Sequence, residues 1–298
     1  MIKILQSGLT LVQDGIGRSG YASSGVPKSG AFDTVSLAQA NYLVGNPLSH
    51  PGFEIHGGKF EFLSEQDVIV GIIGGNPEIM CDGKIVYSQT SIIMPAFSFL
   101  SIRPDIQHNG LTYLAISGFS PKQELGSASY DTFSKLGTPP VLTGDTFQIE
   151  STGTNLYELR QRIILETKQN NQFYSIPVIG SVHYEDLGSP NSLNVSVKTI
   201  ARSGVRLSTK TSSFKNLEKF SNLGSLPVFP GVVQITPAEE IIILGPDSGV
   251  TGGYPILGYV PDSHMHLLSR LSAGANLRLS IIEKHNISKK DNLKLGLL

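Results

Sequence analysis

Five glycines and one proline fall between Gly15 and Gly30, so the backbone must turn repeatedly there instead of running as a helix. Glycine loses the most entropy on ordering, and proline lacks an N–H. Into this turning stretch and its flanks the sequence sets Gln13, Asp14, Arg18, Ser29 and Asp33. Polar groups held on an ordered loop are where binding chemistry concentrates. The same punctuation runs through the whole chain: 32 glycines and 17 prolines against 16% charged residues point to many short strands and tight turns. At 298 residues with 40% hydrophobic content, two domains with separate cores are expected.

Short β-branched runs bounded by turn residues predict strands at 59–63, 67–73, 78–81, 85–87, 91–94, 98–102 and 111–116. In the second half they predict strands at 159–165, 194–200, 232–235, 241–244 and 276–283. Asp82-Gly83 is a two-residue hairpin turn, since both residue types tolerate positive φ. Asp33 caps a helix ending at Gly45, with Val35, Ala38, Tyr42 and Leu43 on its apolar side. A second helix is expected over 262–271, burying Met265, Leu268 and Leu271. A short helix fits 214–220, and 169–172, 187–192 and 211–230 read as loop-rich.

The formal net charge of −1 provides no electrostatic attraction for nucleic acid or an anionic membrane. The longest apolar runs, 68–73 and 241–244, have strand length and are too short to span a bilayer. Cys81 is the only cysteine, which rules out an intrachain disulfide and reads as a small buried hydrophobe. No signal-peptide pattern stands at the N-terminus, and a cytoplasmic location is expected. His264 and His266 point about 200° apart around a helix, His50, His56, His108 and His183 are scattered, and no metal is expected. The polar tail after His285 is expected to fray.

Three segments carry a resemblance. Val12 to Tyr21, Gly25 to Asp33 and Ala40 to Asn46 follow the pattern V-Q-D-x-G-R-x-G-Y, G-V-P-x-S-G-A-x-D and A-N-x-L-V-G-N, with one extra residue in Gly15-Ile16-Gly17. Far along the chain, Pro230 to Pro237 and Asp247 to Pro255 are similar to P-G-x-x-Q-x-P-P and D-x-x-T-x-G-G-Y-P, Thr236 and Val250 departing from them. The chain thereby resembles, over nearly its whole length, the biotin-dependent carboxyltransferase subdomain A/B family, which includes the C subunit of 5-oxoprolinase, the kinase-inhibitor antagonist KipA and part of urea amidolyase. The resemblance implies a mainly β fold of two tandem cyclophilin-like antiparallel β-barrel domains with few helices. We place them at 1–145, with the glycine-rich loop, and at 146–298.

Each candidate residue has a chemical and a structural reading. Asp14 and Arg18 together can orient an amide or carboxylate, because a guanidinium binds planar oxyanions in bidentate fashion, or can form an ion pair that pins the turn. Ser29 and Asp33 stand before a helix N-terminus, where anions are favoured, yet Asp33 also serves as a plain cap. Thr251, Gly252, Gly253 and Tyr254 offer backbone amides to an anion or make a tight turn. Glu54 is a lone carboxylate among apolar neighbours, either an acid/base group or a half-exposed strand residue. No Gly-x-Ser-x-Gly elbow and no Walker A sequence is present.

The family pattern S-D-R-x-G-x-R-L maps on to Ile200 to Leu207, keeping Arg202 and Arg206 but with Ala201 in place of the acid. Gly126 to Ser129 lacks an expected arginine, and Ser248-Gly249 stands where Arg-Gln is frequent. The resemblance implies a component like the C subunit of an ATP-dependent 5-oxoprolinase, acting on a small lactam or amide with a KipI-like B subunit, together with a separate A subunit. Asp14, Arg18, Asp33, Glu54 and Arg202 would be catalytic, and Ser29, Arg206, Gln234 and Thr251 to Tyr254 would bind substrate or phosphate. ATP would be bound with or by a partner. Two alternatives stay open: a non-catalytic KipA-like regulator, and a carboxyltransferase whose biotin carrier acts in trans, biotin on this chain itself being disfavoured by the lack of an Ala-Met-Lys-Met segment.

Overall fold

The computed structural model describes residues 1–105, 110–150, 162–164, 174–209 and 214–282. The chain divides into two compact units, Met1–Ser19 with Ser29–Lys168, and Gly20–Lys28 with Gln169–Leu298. The expected strand at 159–165 falls largely outside the described residues, as do the loop at 169–172 and the tail after His285.

The first unit contains β1 (Ile2–Gln6), β2 (Leu9–Gln13), α1 (Thr34–Val44), β3 (Gly52–Gly57), β4 (Phe60–Ser64), β5 (Val68–Ile73) and β6 (Glu78–Cys81). It continues with β7 (Lys84–Val86), β8 (Ser91–Met94), β9 (Phe99–Arg103), β10 (Thr112–Ile116) and β11 (Thr146–Phe147). These build a six-stranded sheet, β11-β1-β4-β9-β6-β7, and a five-stranded one, β2-β3-β10-β5-β8. Because β11 pairs Phe147 with Ile2 and Thr146 with Lys3, this unit runs past residue 145.

Strands β5 and β10 are buried along their whole length, and their alternation explains why. Val68, Val70, Ile72, Leu114 and Ile116 join the main core with Phe53, Phe60 and Phe62. The residues between them, Ile69, Ile73, Tyr113 and Ala115, pack against Leu37, Ala40, Leu43 and Val44 of α1. Each fully buried aliphatic side chain contributes roughly 1.5–3 kcal/mol. The helix comes so close that a Cβ on Gly71 would lie 2.5 Å from the Ala40 carbonyl oxygen, so glycine is required there.

The buried face of α1 differs from the expected one. Val35 and Tyr42 are exposed, whereas Ser36 and Asn41 are buried. Polar groups occupy that face because each is hydrogen-bonded: Ser36 to Asp33, and Asn41 through Nδ2 to the carbonyls of His50 and Leu48. Asp82 and Gly83 have φ of 46° and 75°, the pairing a type I′ hairpin turn requires.

The second unit contains β12 (Tyr174–Gly180), β13 (Ser192–Ala201), β14 (Gly204–Thr209), β15 (Leu226–Pro227), β16 (Val232–Ile235) and β17 (Ile241–Leu244). After these come β18 (Thr251–Gly252), β19 (Ile256–Tyr259), α2 (Asp262–Met265) and β20 (Asn276–Ile282). Seven strands close a barrel in the order β12-β19-β16-β17-β14-β13-β20, and β15 and β18 form a separate ribbon. One closing pair, β12 with β20, is parallel; the others are antiparallel. The helix expected over 262–271 is broken: four residues of α2 are followed by a 3₁₀ turn at Leu268–Arg270. Leu268 and Leu271 are buried, and their spacing of three suits the three-residue period of a 3₁₀ turn. The chain is thus mainly β with few helices, as expected.

Candidate functional site

At the end of β2 the chain enters the glycine-rich turn, and Asp14 organises it. Its Oδ1 accepts the N–H groups of Ile16 (3.1 Å) and Gly17 (2.6 Å). Its Oδ2 accepts the Ser127 hydroxyl and, at 3.0 Å, the Ala128 N–H. The Asp14 N–H donates to Ser129 Oγ at 2.8 Å, and the Asp14 carbonyl accepts the Ala31 N–H at 2.8 Å. Four donors on one carboxylate fix the turn 14–17 against the segment 127–129, with each hydrogen bond to a charged group worth about 1.5–3 kcal/mol. Gln13 and Ser29 grip the same segment, both donating to the Tyr130 carbonyl, at 2.8 and 3.2 Å.

Arg18 leaves this turn into the interior, where its side chain is only 2% exposed. Nη2 donates to the Ser129 carbonyl, and this contact needs Gly137. With φ at +96°, that residue lies so near that a Cβ would stand 2.5 Å from Nη2. Nε and Nη1 have no hydrogen-bond partner among the described residues. Of the two readings of Asp14 and Arg18, the ion pair that pins the turn is absent among those residues, since the Asp14 oxygens are committed to four other donors.

Asp33 and Glu54 belong to one buried network. Asp33 caps α1, its carboxylate accepting the Ser36 N–H and hydroxyl, each at 2.8 Å. Glu54 on β3 is 0% exposed, which overturns its reading as a half-exposed strand residue. Its Oε2 accepts the Phe32 N–H (2.8 Å) and the Tyr113 hydroxyl (2.7 Å), while His56 Nε2 lies 2.8 Å from Oε1. Tyr113 OH in turn accepts the Asp33 N–H at 2.7 Å. Burial, then the charges of Glu54 and Asp33, hold the Tyr113 phenol well above its ordinary pKa, so it acts as a fixed donor. The glutamate anchors the entry to α1.

In the second unit Arg202 is buried and fully engaged with a carboxylate. Nε and Nη2 donate to the two Asp247 oxygens at 2.8 and 2.7 Å, and the Asp247 N–H donates to the Arg202 carbonyl. Ala201 removes the acid expected beside this arginine, and Asp247, from a motif over forty positions away, takes that place. Arg206 stands on the surface, 3.3 Å from Glu240, which Lys198 also holds at 2.7 Å. The Lys198 hydrogen bond and charge, more than Arg206, keep the Glu240 carboxyl below its ordinary pKa.

Thr251–Gly252 pairs as β18 with Leu226 and Pro227, forming a ribbon. The buried Gln234 donates weakly to the Tyr254 carbonyl at 3.4 Å, beneath Gly252, while Thr251 and Tyr254 are exposed. His183 accepts the Ile256 N–H through Nδ1 at 2.9 Å and meets the Phe220 ring edge-on at 4.9 Å. Burial pushes its pKa below the ordinary imidazole value, partly countered by Asp186.

The structure therefore gathers Gln13, Asp14, Arg18 and Ser29 on one segment, 127–130, and joins Asp33 to Glu54. Ser127, Ser129, Tyr130 and Gly137 were missed as parts of this cluster; the sequence marks 126–129 only as lacking an arginine. An apolar groove of about 580 Å³ lies over α1 between Val35, Ala38, Tyr42 and Leu48, and none of these polar residues lines it. Among the described residues no three His, Cys, Asp or Glu side chains group as metal ligands, and no helix is long and apolar enough to cross a membrane.

The carboxyltransferase domain, subdomain A and B family matches residues 24–281. The C subunit of 5-oxoprolinase from Escherichia coli (strain K12) is 28% identical over 284 residues, covering 92% of this chain and 89% of that protein. Urea amidolyase of Saccharomyces cerevisiae is 31% identical over 129 residues, 43% of this chain and 7% of that protein. Among solved structures, TTHA0988 superposes with a TM-score of 0.79 at 25% identity, covering 94% of this chain and 56% of that one. The chain thus spans little more than half the length of that solved protein.

Proposed function

The chain belongs to the carboxyltransferase domain, subdomain A and B family, and from that membership we propose that it is the C-type subunit of an ATP-dependent 5-oxoprolinase. The observation that carries this reading is the correspondence with the C subunit of a 5-oxoprolinase along nine-tenths of both chains. A KipI-like B subunit, together with a separate A subunit, makes up the rest of the enzyme. A lactam amide resists hydrolysis, so transfer of a phosphoryl group from ATP to its oxygen, with ADP leaving, supplies a better electrophile; one water then breaks the C–N bond to give an acyl phosphate with a free amine, and a second water releases phosphate and glutamate. Cationic and amide donors must stabilise the charge that develops. Arg18 is the donor most suited to that task, because Arg202 is neutralised by Asp247 and Arg206 shares Glu240 on the surface. Asp14 and Asp33 serve by positioning, since their oxygens hold backbone and serine donors.

That neutralisation also favours a second reading, a KipA-like regulatory partner that binds the KipI-like protein without turnover. Co-expression with the cognate subunits distinguishes the two. ATP-dependent glutamate release from 5-oxoproline supports the first; a stable complex without release supports the second. Transfer of carboxylate from a biotin carrier supplied in trans, without glutamate release, would point instead to urea amidolyase-type chemistry.

A further inference from the structure

Two arginines of this chain are buried to a similar degree, Arg18 at 2% and Arg202 at 6% exposure, and they differ in one respect. Arg202 has a carboxylate bound across Nε and Nη2. Arg18 has one carbonyl at Nη2, with Nε and Nη1 unpartnered among the described residues. A buried charge is costly unless paired. The neighbouring Asp14 does not supply the pairing: its four contacts instead hold the turn that aims Arg18 inward.

We propose that Arg18 is the receptor for a small oxyanion, a carboxylate or a phosphate, in the first unit. The guanidinium is held in advance by the Ser129 carbonyl and the Asp14-locked turn, and the ligand supplies the counter-charge that the fold leaves out. A guanidinium suits both groups because its planar N–H fork matches their oxygens. Nε and Nη1 have almost no exposed area, so an oxyanion reaches them only by local opening of the backbone around Arg18. This rests on the oxoprolinase reading only in naming 5-oxoproline as the carboxylate.

The test is a titration of the full chain, at constant ionic strength, with inorganic phosphate, with 5-oxoproline and with the neutral 2-pyrrolidinone, read by calorimetry and by thermal midpoint. Saturable binding of phosphate, 5-oxoproline or both is expected, with a raised midpoint and no response to 2-pyrrolidinone. Phosphate alone would identify a phosphoryl site, 5-oxoproline alone a substrate-carboxylate site. Arg18→Met should weaken binding tenfold or more while its midpoint without ligand is unchanged or higher, because an unpaired buried charge has been removed. A purely structural arginine would give a lower midpoint. If Arg18→Met does not fold, Arg18→Lys, which keeps the charge but loses the fork, should still weaken binding. Wild-type protein without a saturable oxyanion response, or variants that bind as wild type does, would overturn the proposal. Oxyanion binding by Arg18 in a complex that releases no glutamate would instead sink the oxoprolinase reading alone.

Discussion

Replacing either member of the Arg202–Asp247 pair takes the bound counter-charge from the other while that side chain stays buried, the two being 5% and 0% exposed. Breaking a buried pair in this way costs about 3–5 kcal/mol, whereas replacing both partners with apolar groups of similar volume is often close to neutral. Arg202→Met and Asp247→Leu should therefore each destabilise by about 3–5 kcal/mol, and the double variant should come within about 1 kcal/mol of wild type. Most of the single effects would then appear as coupling in the double-mutant cycle. With a urea slope of roughly 2 kcal/mol per molar, each single variant lowers the midpoint by about 1.5–2.5 M. The chain has 10 tyrosines and no tryptophan, so far-UV circular dichroism and tyrosine emission are the natural probes. The second unit should report the loss before the first. Single variants that cost under about 1 kcal/mol and simply add in the double would refute the reasoning, and would return Arg202 to the set of cations free to hold a ligand.

Two further outcomes follow from the buried polar network. Asp14→Ala strips the acceptor from three backbone N–H groups and the Ser127 hydroxyl; partial relaxation and water entry limit the loss to about 3–5 kcal/mol, and limited proteolysis should cut first within 15–31 and 126–138. The His183 pKa is lowered in the fold by burial, so folding favours its neutral form. Its contribution is complete above the unfolded value of about 6.5 and is lost as pH falls through the lower folded value. Wild type should accordingly lose more stability than His183→Gln between pH 7.5 and 5, measured by urea midpoints, and equal losses would exclude the imidazole as the cause.

Strands carried by β-branched runs were legible because a short apolar run bounded by turn residues needs no tertiary information: Val232–Ile235 and Ile241–Leu244 fall where the pattern puts them. β12 was not, since Pro177 sits in its middle and proline argues against a strand; its parallel pairing with β20, which sets Pro177 against Ser280, has no local signal at all. The face of α1 was misjudged for a related reason. Counting apolar residues favours Val35 and Tyr42, while the fold buries Asn41 because the carbonyls of His50 and Leu48 satisfy its amide. Partners supplied from outside the helix decide that choice.

The same distinction explains what was legible of the candidate site. Gln13, Asp14, Arg18 and Ser29 were identifiable because the glycines around them announce an ordered turn. What each does depended on residues 101–117 positions later. Asp14 could orient a substrate with Arg18 or pair with it until Ser127 and Ala128 are seen on its second oxygen; after that it has no lone pair left for Arg18. Conversely, the loss of an acid at Ala201 looked like a loss of charge balance around Arg202, and Asp247 restores it from a different strand connection. Sequence therefore marks where charges are buried, but the pairing decides which of them is spent on the fold. By that criterion Arg202 is spent and Arg18 is not.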